Sequence, residues 1–211
     1  MTNPLFTVGH SRHSLESLLH LLVANEISAV ADVRSRPYSR MNPQFNQELL
    51  KAQLNSTGIA YVALGRELGA RTDDASCYEA GKVQYFRLAR TPLFRAGLNR
   101  LLEGVQAHRV ALLCAEKDPI TCHRMVLVCH ELRHEPLEIF HIRPDGSLES
   151  NADAERRMVA ALSLPEQDLF TSSDQTVEEA YRLQGNRIAW VETETEKSAG
   201  FPRDVDAQVF K

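Results

Sequence analysis

Short apolar runs alternate with amphipathic stretches through the first two thirds of the chain. Leu5–Gly9, residues 29–33, residues 59–64, Val110–Cys114 and residues 137–142 are mostly apolar and only five or six residues long. Such runs are too short for helices and suit strands buried on both faces. Between the first two runs, Leu15, Leu18, Leu19 and Leu22 recur at helical spacing behind Ser14, a good N-cap, which predicts a helix over residues 14–25. Further helices are expected over residues 46–56, closed near Gly58 by a left-handed residue, and over 92–107 and 121–133. Residues 65–90, punctuated by Gly65, Gly69 and Gly81, break the rhythm and read as an excursion.

Strands alternating with helices imply right-handed crossovers. The expected fold is therefore α/β, with a mainly parallel five-stranded sheet flanked by helices. A core domain is expected over residues 1–150. Residues 151–211 read as a partly irregular C-terminal extension packing on it. That extension is expected to hold helices over 152–162 and 177–183, a short strand over 188–191 and a loosely ordered tail.

Composition narrows the class. The chain is 43% hydrophobic and 25% charged, ordinary for a globular protein, and no apolar run approaches the ~20 residues of a bilayer span. The first residues lack the basic and apolar regions of a secretory signal, so a cytoplasmic location and no membrane partner are expected. Four cysteines (Cys77, Cys114, Cys122 and Cys129) are too few for a disulfide scaffold and are expected as thiols. A net charge of −4 argues against charge-driven nucleic-acid binding, although Arg12, Arg34, Arg36 and Arg40 cluster enough to build a local basic mouth.

The chemistry concentrates in VALLCAEKDPITCHR, residues 110–124, where a strand ends in a loop rich in reactive groups. Parallel strands present their carboxyl ends at one edge, where α/β folds place ligands. Reading that edge gathers His10 and Ser11, Asp32, Arg34 to Arg36, residues 114–117, and His141. Arg34, Arg36 and Arg124 offer forked donors for phosphate or carboxylate. Ser11, His123 and the free backbone N–H groups of a helix starting near Cys122 would assist them. The opposing reading pairs these arginines internally with Asp32, Glu116 or Asp118. Glu116 and His10 are the expected proton-transfer residues. Cys114, at a strand end, is the better nucleophile. Cys122 has a lowered-pKa position but also belongs to an apolar stripe with Met125, Cys129 and Leu132.

Three motif readings are weaker. A thiol-dependent phosphatase or rhodanese-like loop would need an arginine where Ile120 stands, and Glu116 and Asp118 would repel its anion. His130-Glu131-Leu132-Arg133-His134 is a literal H-E-x-x-H, but it ends a sheet-packing helix and has no third ligand. A zinc set of Cys114, Cys122, His123 and His141 has an unusual Cys-x7-Cys spacing. No metal is assigned, and no cofactor, since no dinucleotide Gly-x-Gly-x-x-Gly fingerprint occurs.

TVGHSRHSLESLLHLL, ADVRSRPYSRMNPQFN, GIAYVALGRELGA and LLCAEKDPITCHR, in this order, resemble the domain-of-unknown-function family 488. The likeness runs from about Leu5 to Ile142, and DLF and EEAYRLQGNRIAWVE further on resemble its longer members. It implies an α/β domain with Gly9-His10-Ser11, Asp32-Val33-Arg34, Pro37, Ser39, Phe45, Glu116, Cys122, His123 and Arg124 at signature positions, and names no reaction. Ala70 stands where the family often has a second glycine. The expected function is a hydrolase or group transferase acting on a phosphate-bearing small molecule, such as a nucleotide or nucleic-acid component. The alternatives are a non-catalytic anion or nucleic-acid binding module, with Tyr38, Phe45 and Tyr85 at its mouth, and a sulfur-transfer or redox protein using Cys114 and Cys122.

Overall fold

A computed structural model describes residues 3–165 and 172–192. Alternation begins as the pattern predicts, with β1 (Leu5–Gly9), α1 (Leu15–Ala24), β2 (Ala29–Asp32), α2 (Gln47–Ser56) and β3 (Ala60–Ala63). Ser14 caps α1 by accepting from the Ser17 N–H at 3.1 Å, and Gly58 takes a left-handed φ of 77° after α2.

Residues 65–90 are more ordered than their glycines suggest. They form α3 (Gly65–Leu68), a small hairpin of β4 (Tyr78–Glu79) and β5 (Lys82–Val83), and α4 (Tyr85–Leu88). The chain then resumes with α5 (Pro92–Ala107), capped by Thr91, and β6 (Val110–Cys114).

The helix expected over 121–133 is built differently. A 3-10 turn at Pro119–Thr121 leads into Cys122 in an extended conformation, then a π-helix at Arg124–Cys129 and one α-turn, α6 (His130–Leu132). Cys122 therefore precedes the helix, and its N–H already donates to the Pro119 carbonyl at 3.0 Å. The whole π segment is buried. β7 (Ile139–Ile142) follows, then β8 (Leu148–Ser150), α7 (Asn151–Ala161) and α8 (Ser173–Ile188).

The sheet has six strands, not five, in the order β3-β2-β6-β1-β7-β8. The first five are parallel, and β8 returns antiparallel to β7 across a turn at Gly146. β8 escapes the apolar pattern because it is a three-residue edge strand with its leading residue exposed. The helix expected over 177–183 extends across Ser173–Ile188. The strand expected at 188–191 reduces to a single bridge between Lys82 and Val191. The tail and the DLF segment lie outside the described residues.

Alternate residues of the strands feed two cores. Phe6, Val8, Val30, Ala111 and Leu113 pack on α1 and α2. Leu5, Ala31, Leu112 and Cys114 pack on α5, the π segment, α7 and α8. The adjacent strands β1 and β6 thus send their following helices to opposite faces, which opens a crevice at their carboxyl ends. No described helix is long and apolar enough to cross a membrane.

Candidate functional site

The β1–β6 junction is held unusually close. Gly9 pairs with Cys114, and the ladder runs on through His10 N–H to Cys114 O and Ser11 N–H to Ala115 O, both at 2.9 Å. Ser11 accepts a left-handed φ of 47° to leave it. Beneath the loop lies Arg124, fully buried. Its guanidinium donates to the carbonyls of Glu116 (2.7 Å) and Lys117 (3.2 Å) and to Thr7 Oγ1 (3.2 Å). From the loop's far side, Asp118 is tied to Arg157 of α7 by two contacts at 2.8 and 2.9 Å. Both ends of the loop are fixed.

Between them four reactive groups meet. Cys114, Glu116, Cys122 and His123 each aim one donor atom inward, and these atoms lie within 4.8 Å of one another. The Cys114 and Cys122 sulfurs both lie within hydrogen-bonding distance of Glu116 Oε2, at 2.8 and 2.9 Å. His123 Nδ1 stands 3.5 Å from Cys114 Sγ, and its Nε2 donates to the Val33 carbonyl at 2.9 Å. That second bond fixes the tautomer and leaves the Nδ1 lone pair facing the sulfurs.

Charge is distributed asymmetrically here. Burial alone would raise the Cys122 thiol; a hydrogen bond from Cys114, the Arg124 guanidinium and His123 overcome it and hold Cys122 well below the usual thiol value. Burial and the neighbouring sulfur push Cys114 well up. Glu116 is exposed as a residue but turns its carboxylate onto the sulfurs, so desolvation and the charge of Cys122 raise its carboxyl. Burial and neighbouring negative charge also raise the phenol of Tyr85, which α4 brings alongside the cluster. Tyr85 further lines a groove of about 810 Å³ against α8.

Other expected site residues lie elsewhere. Arg34 makes a two-point pair with Asp32 at 2.8 and 2.6 Å and donates to the Phe45 carbonyl, while Tyr61 donates to the same Asp32. This is the internal pairing that competed with anion binding. His10 stacks on Phe45 at 4.3 Å and donates from Nδ1 to the Ser11 carbonyl. Burial and the Arg34 charge lower its pKa to about 4. It sits beside Asp32 and Arg34, with no hydrogen bond to Glu116 among the described residues. Phe45 itself is buried rather than at the mouth. Arg36 is half-buried and Ser11 partly exposed on the same edge.

His141 lies within β7, fully buried, and does not join the thiols. Thr7 accepts from Arg124 and donates to His141 Nδ1 at 2.8 Å; Nε2 then donates to Asn151 Oδ1 at 3.2 Å. The H-E-x-x-H residues have other partners: His130 and the surface His134 both approach Glu178, at 2.8 and 3.9 Å, and Glu131 pairs with Arg95. Glu116, taken from the sequence as an acid–base group, fills the place His141 was considered for.

The fold and the 110–124 loop agree with a match to the family model described as "Domain of unknown function DUF488", over residues 14–130, more than half of the chain. The chain belongs to the DUF488 family. The matched segment of this DUF488 protein carries every member of the thiol cluster and Tyr85, and stops within the helix that follows. No curated protein and no solved structure matches the chain. Sequence reasoning on LLCAEKDPITCHR singles out all four clustered residues, with His123 expected as an anion-binding group rather than a partner of the thiols. Tyr85 is expected only as a mouth aromatic of the binding-module alternative, with Tyr38 and Phe45.

Proposed function

We propose that this protein is a hydrolase or group transferase acting on a phosphate-bearing substrate, with Glu116 as its proton-transferring residue. One observation carries the reading: Glu116 Oε2 is in hydrogen-bonding contact with two buried sulfurs while its residue stands open to solvent on the crevice loop. A carboxyl group held partly desolvated with a raised pKa is suited to giving or taking a proton near neutrality. A phosphate substrate is favoured by the exposed Arg12, Arg40 and Lys117 on loops that follow β1, β2 and β6, with Arg36 among them. Arg34 and Arg124 serve differently, fixing the backbone around the crevice. His10, neutral above pH of about 4 and placed beside Arg34, is left out of the proton transfer.

The test is a panel of phosphate esters and nucleotides assayed for turnover and for binding with the wild-type chain and Glu116→Gln. Turnover lost with binding kept supports the reading. Turnover unchanged by the substitution removes Glu116, and binding without any wild-type turnover replaces the enzyme with a binding module.

A further inference from the structure

The donor set at the crevice has the composition and spacing of a transition-metal centre. We propose that Cys114, Cys122 and His123 bind a zinc ion, with Glu116 closing the fourth corner on the solvent side. The proposal deepens the catalytic reading of the same cluster and rests on it for its functional meaning, though not for the binding itself.

Three observations support it. The first is geometric. Bonds of about 2.3 Å to sulfur and about 2.0–2.1 Å to nitrogen set S and N about 3.5 Å apart in a tetrahedron. Cys114 Sγ and His123 Nδ1 stand 3.5 Å apart. The thiol-to-Glu116 contacts of 2.8 and 2.9 Å are shorter than the corresponding S–O edge of about 3.5 Å. The Cys114–His123 edge thus fits, with Cys122 Sγ within 4.8 Å of both, and it is Glu116, an exposed loop residue, that moves outward as the ion enters. A fourth ligand that can yield to water is what distinguishes a catalytic zinc site from a closed structural one.

The second is the outer shell. His123 Nε2 donates to the Val33 carbonyl, so the Nδ1 lone pair is presented and the ring orientation fixed. Metal-bound histidines nearly always have such a partner on the other nitrogen. The Cys122 sulfur in turn accepts from the Arg124 N–H at 3.5 Å, and Arg124 anchors the loop that carries Glu116.

The third is charge. Arg124 is fully buried, yet among the described residues it makes no direct ion pair with a carboxylate. A buried cation is stable only near compensating negative charge. Two thiolates and one carboxylate with Zn²⁺ carry a net −1, which the guanidinium balances. Soft sulfur with imidazole in a four-donor set selects zinc over the oxygen-seeking ions. Both sulfurs must be thiolates to ligate, so binding releases whatever thiol protons remain and the complex forms more tightly as pH rises.

The experiment measures metal in the purified full chain by elemental analysis, then titrates chelator-treated protein with Zn²⁺ and with Co²⁺ as a spectroscopic probe. The expected result is one zinc per chain, and with cobalt the visible bands of a tetrahedral ion plus thiolate charge transfer. Cys114→Ser and His123→Gln should lose the metal and the bands; Cys129→Ser, in the π segment that follows His123, and His134→Ala should keep both. Because the buried sites could unfold, thermal melting is followed in parallel, and a zinc-dependent rise in Tm in the wild type must vanish in folded His123→Gln. Wild-type protein that takes up neither metal, or uptake undisturbed by Cys114→Ser and His123→Gln, overturns the proposal. The catalytic reading fails separately: zinc bound with turnover indifferent to Glu116→Gln leaves the metal site and removes Glu116 from the proton transfer, and zinc bound with no turnover removes the enzyme. Glu116-dependent turnover in metal-free protein does the reverse.

Discussion

The carbonyl oxygen of Glu116 occupies the space where a side chain on Gly9 would begin: a Cβ there would lie 1.8 Å from it. β1 and the Glu116 loop approach so closely because Gly9 has no side chain, and the positions of both thiols follow from that approach.

Gly9→Ala should therefore push the loop outward and separate Glu116 from the sulfurs. Overpacking costs about 1–3 kcal/mol, and a clash with backbone rather than a flexible side chain belongs at the upper end. Urea unfolding should show that loss, and the thiols, almost fully buried in the native protein, should react faster with alkylating reagents. Unchanged stability and thiol reactivity would mean that the loop is not held by this contact.

Arg34 and Asp32 offer a second check. Both are buried, and Asp32 also accepts from the Tyr61 hydroxyl. Arg34→Met should leave the carboxylate without its ion-pair partner and destabilise the fold by about 3–5 kcal/mol. Adding Asp32→Asn to it should recover part of the loss. An anion-binding Arg34 would behave otherwise, lowering phosphate affinity with little change in unfolding free energy.

The pH dependence of stability should carry the signature of a buried neutral histidine. Burial, then the Arg124 charge, lowers His141 from 6.5 to about 4. The unfolded chain binds the proton more readily in that interval, so the contribution is fully present above about pH 6.5 and is lost as pH falls towards 4. For a fully buried ring this amounts to about 3 kcal/mol, and His10 adds to the loss over the same window. Denaturation midpoints measured between pH 4 and 7 should slope downward toward acid, and His141→Gln should flatten the slope.

His130 and His134 test the literal H-E-x-x-H motif. His130 stacks on Tyr181 and pairs with Glu178, while His134 lies on the surface. The double substitution to alanine should leave any bound metal in place. It should cost only modest stability, about 1 kcal/mol from the partly buried pair. Metal loss in that variant would relocate the centre.

The chain pattern by itself determined the strand–helix alternation, the parallel sheet and the edge at which the chemistry sits. Each follows from local periodicity: apolar runs of five residues cannot close a helix, and parallel strands share one carboxyl edge. It also brought Cys114, Glu116, Cys122 and His123 into one loop, since they lie within ten residues of sequence.

Only the tertiary structure decided which groups face which. Whether Arg34 meets a ligand or Asp32 depends on side-chain direction in a crowded interior, which residue spacing does not encode. Cys122 reads as one more residue of an apolar helix stripe, yet its extended backbone ahead of a π-helix turns its sulfur to Glu116. His10 and His141 share the edge in projection but are drawn away by Phe45 and by Thr7. Tyr85 comes within the electrostatic reach of the thiols through the packing of a segment that sequence periodicity left unstructured. Long-range packing chooses among contacts that local pattern leaves equally open.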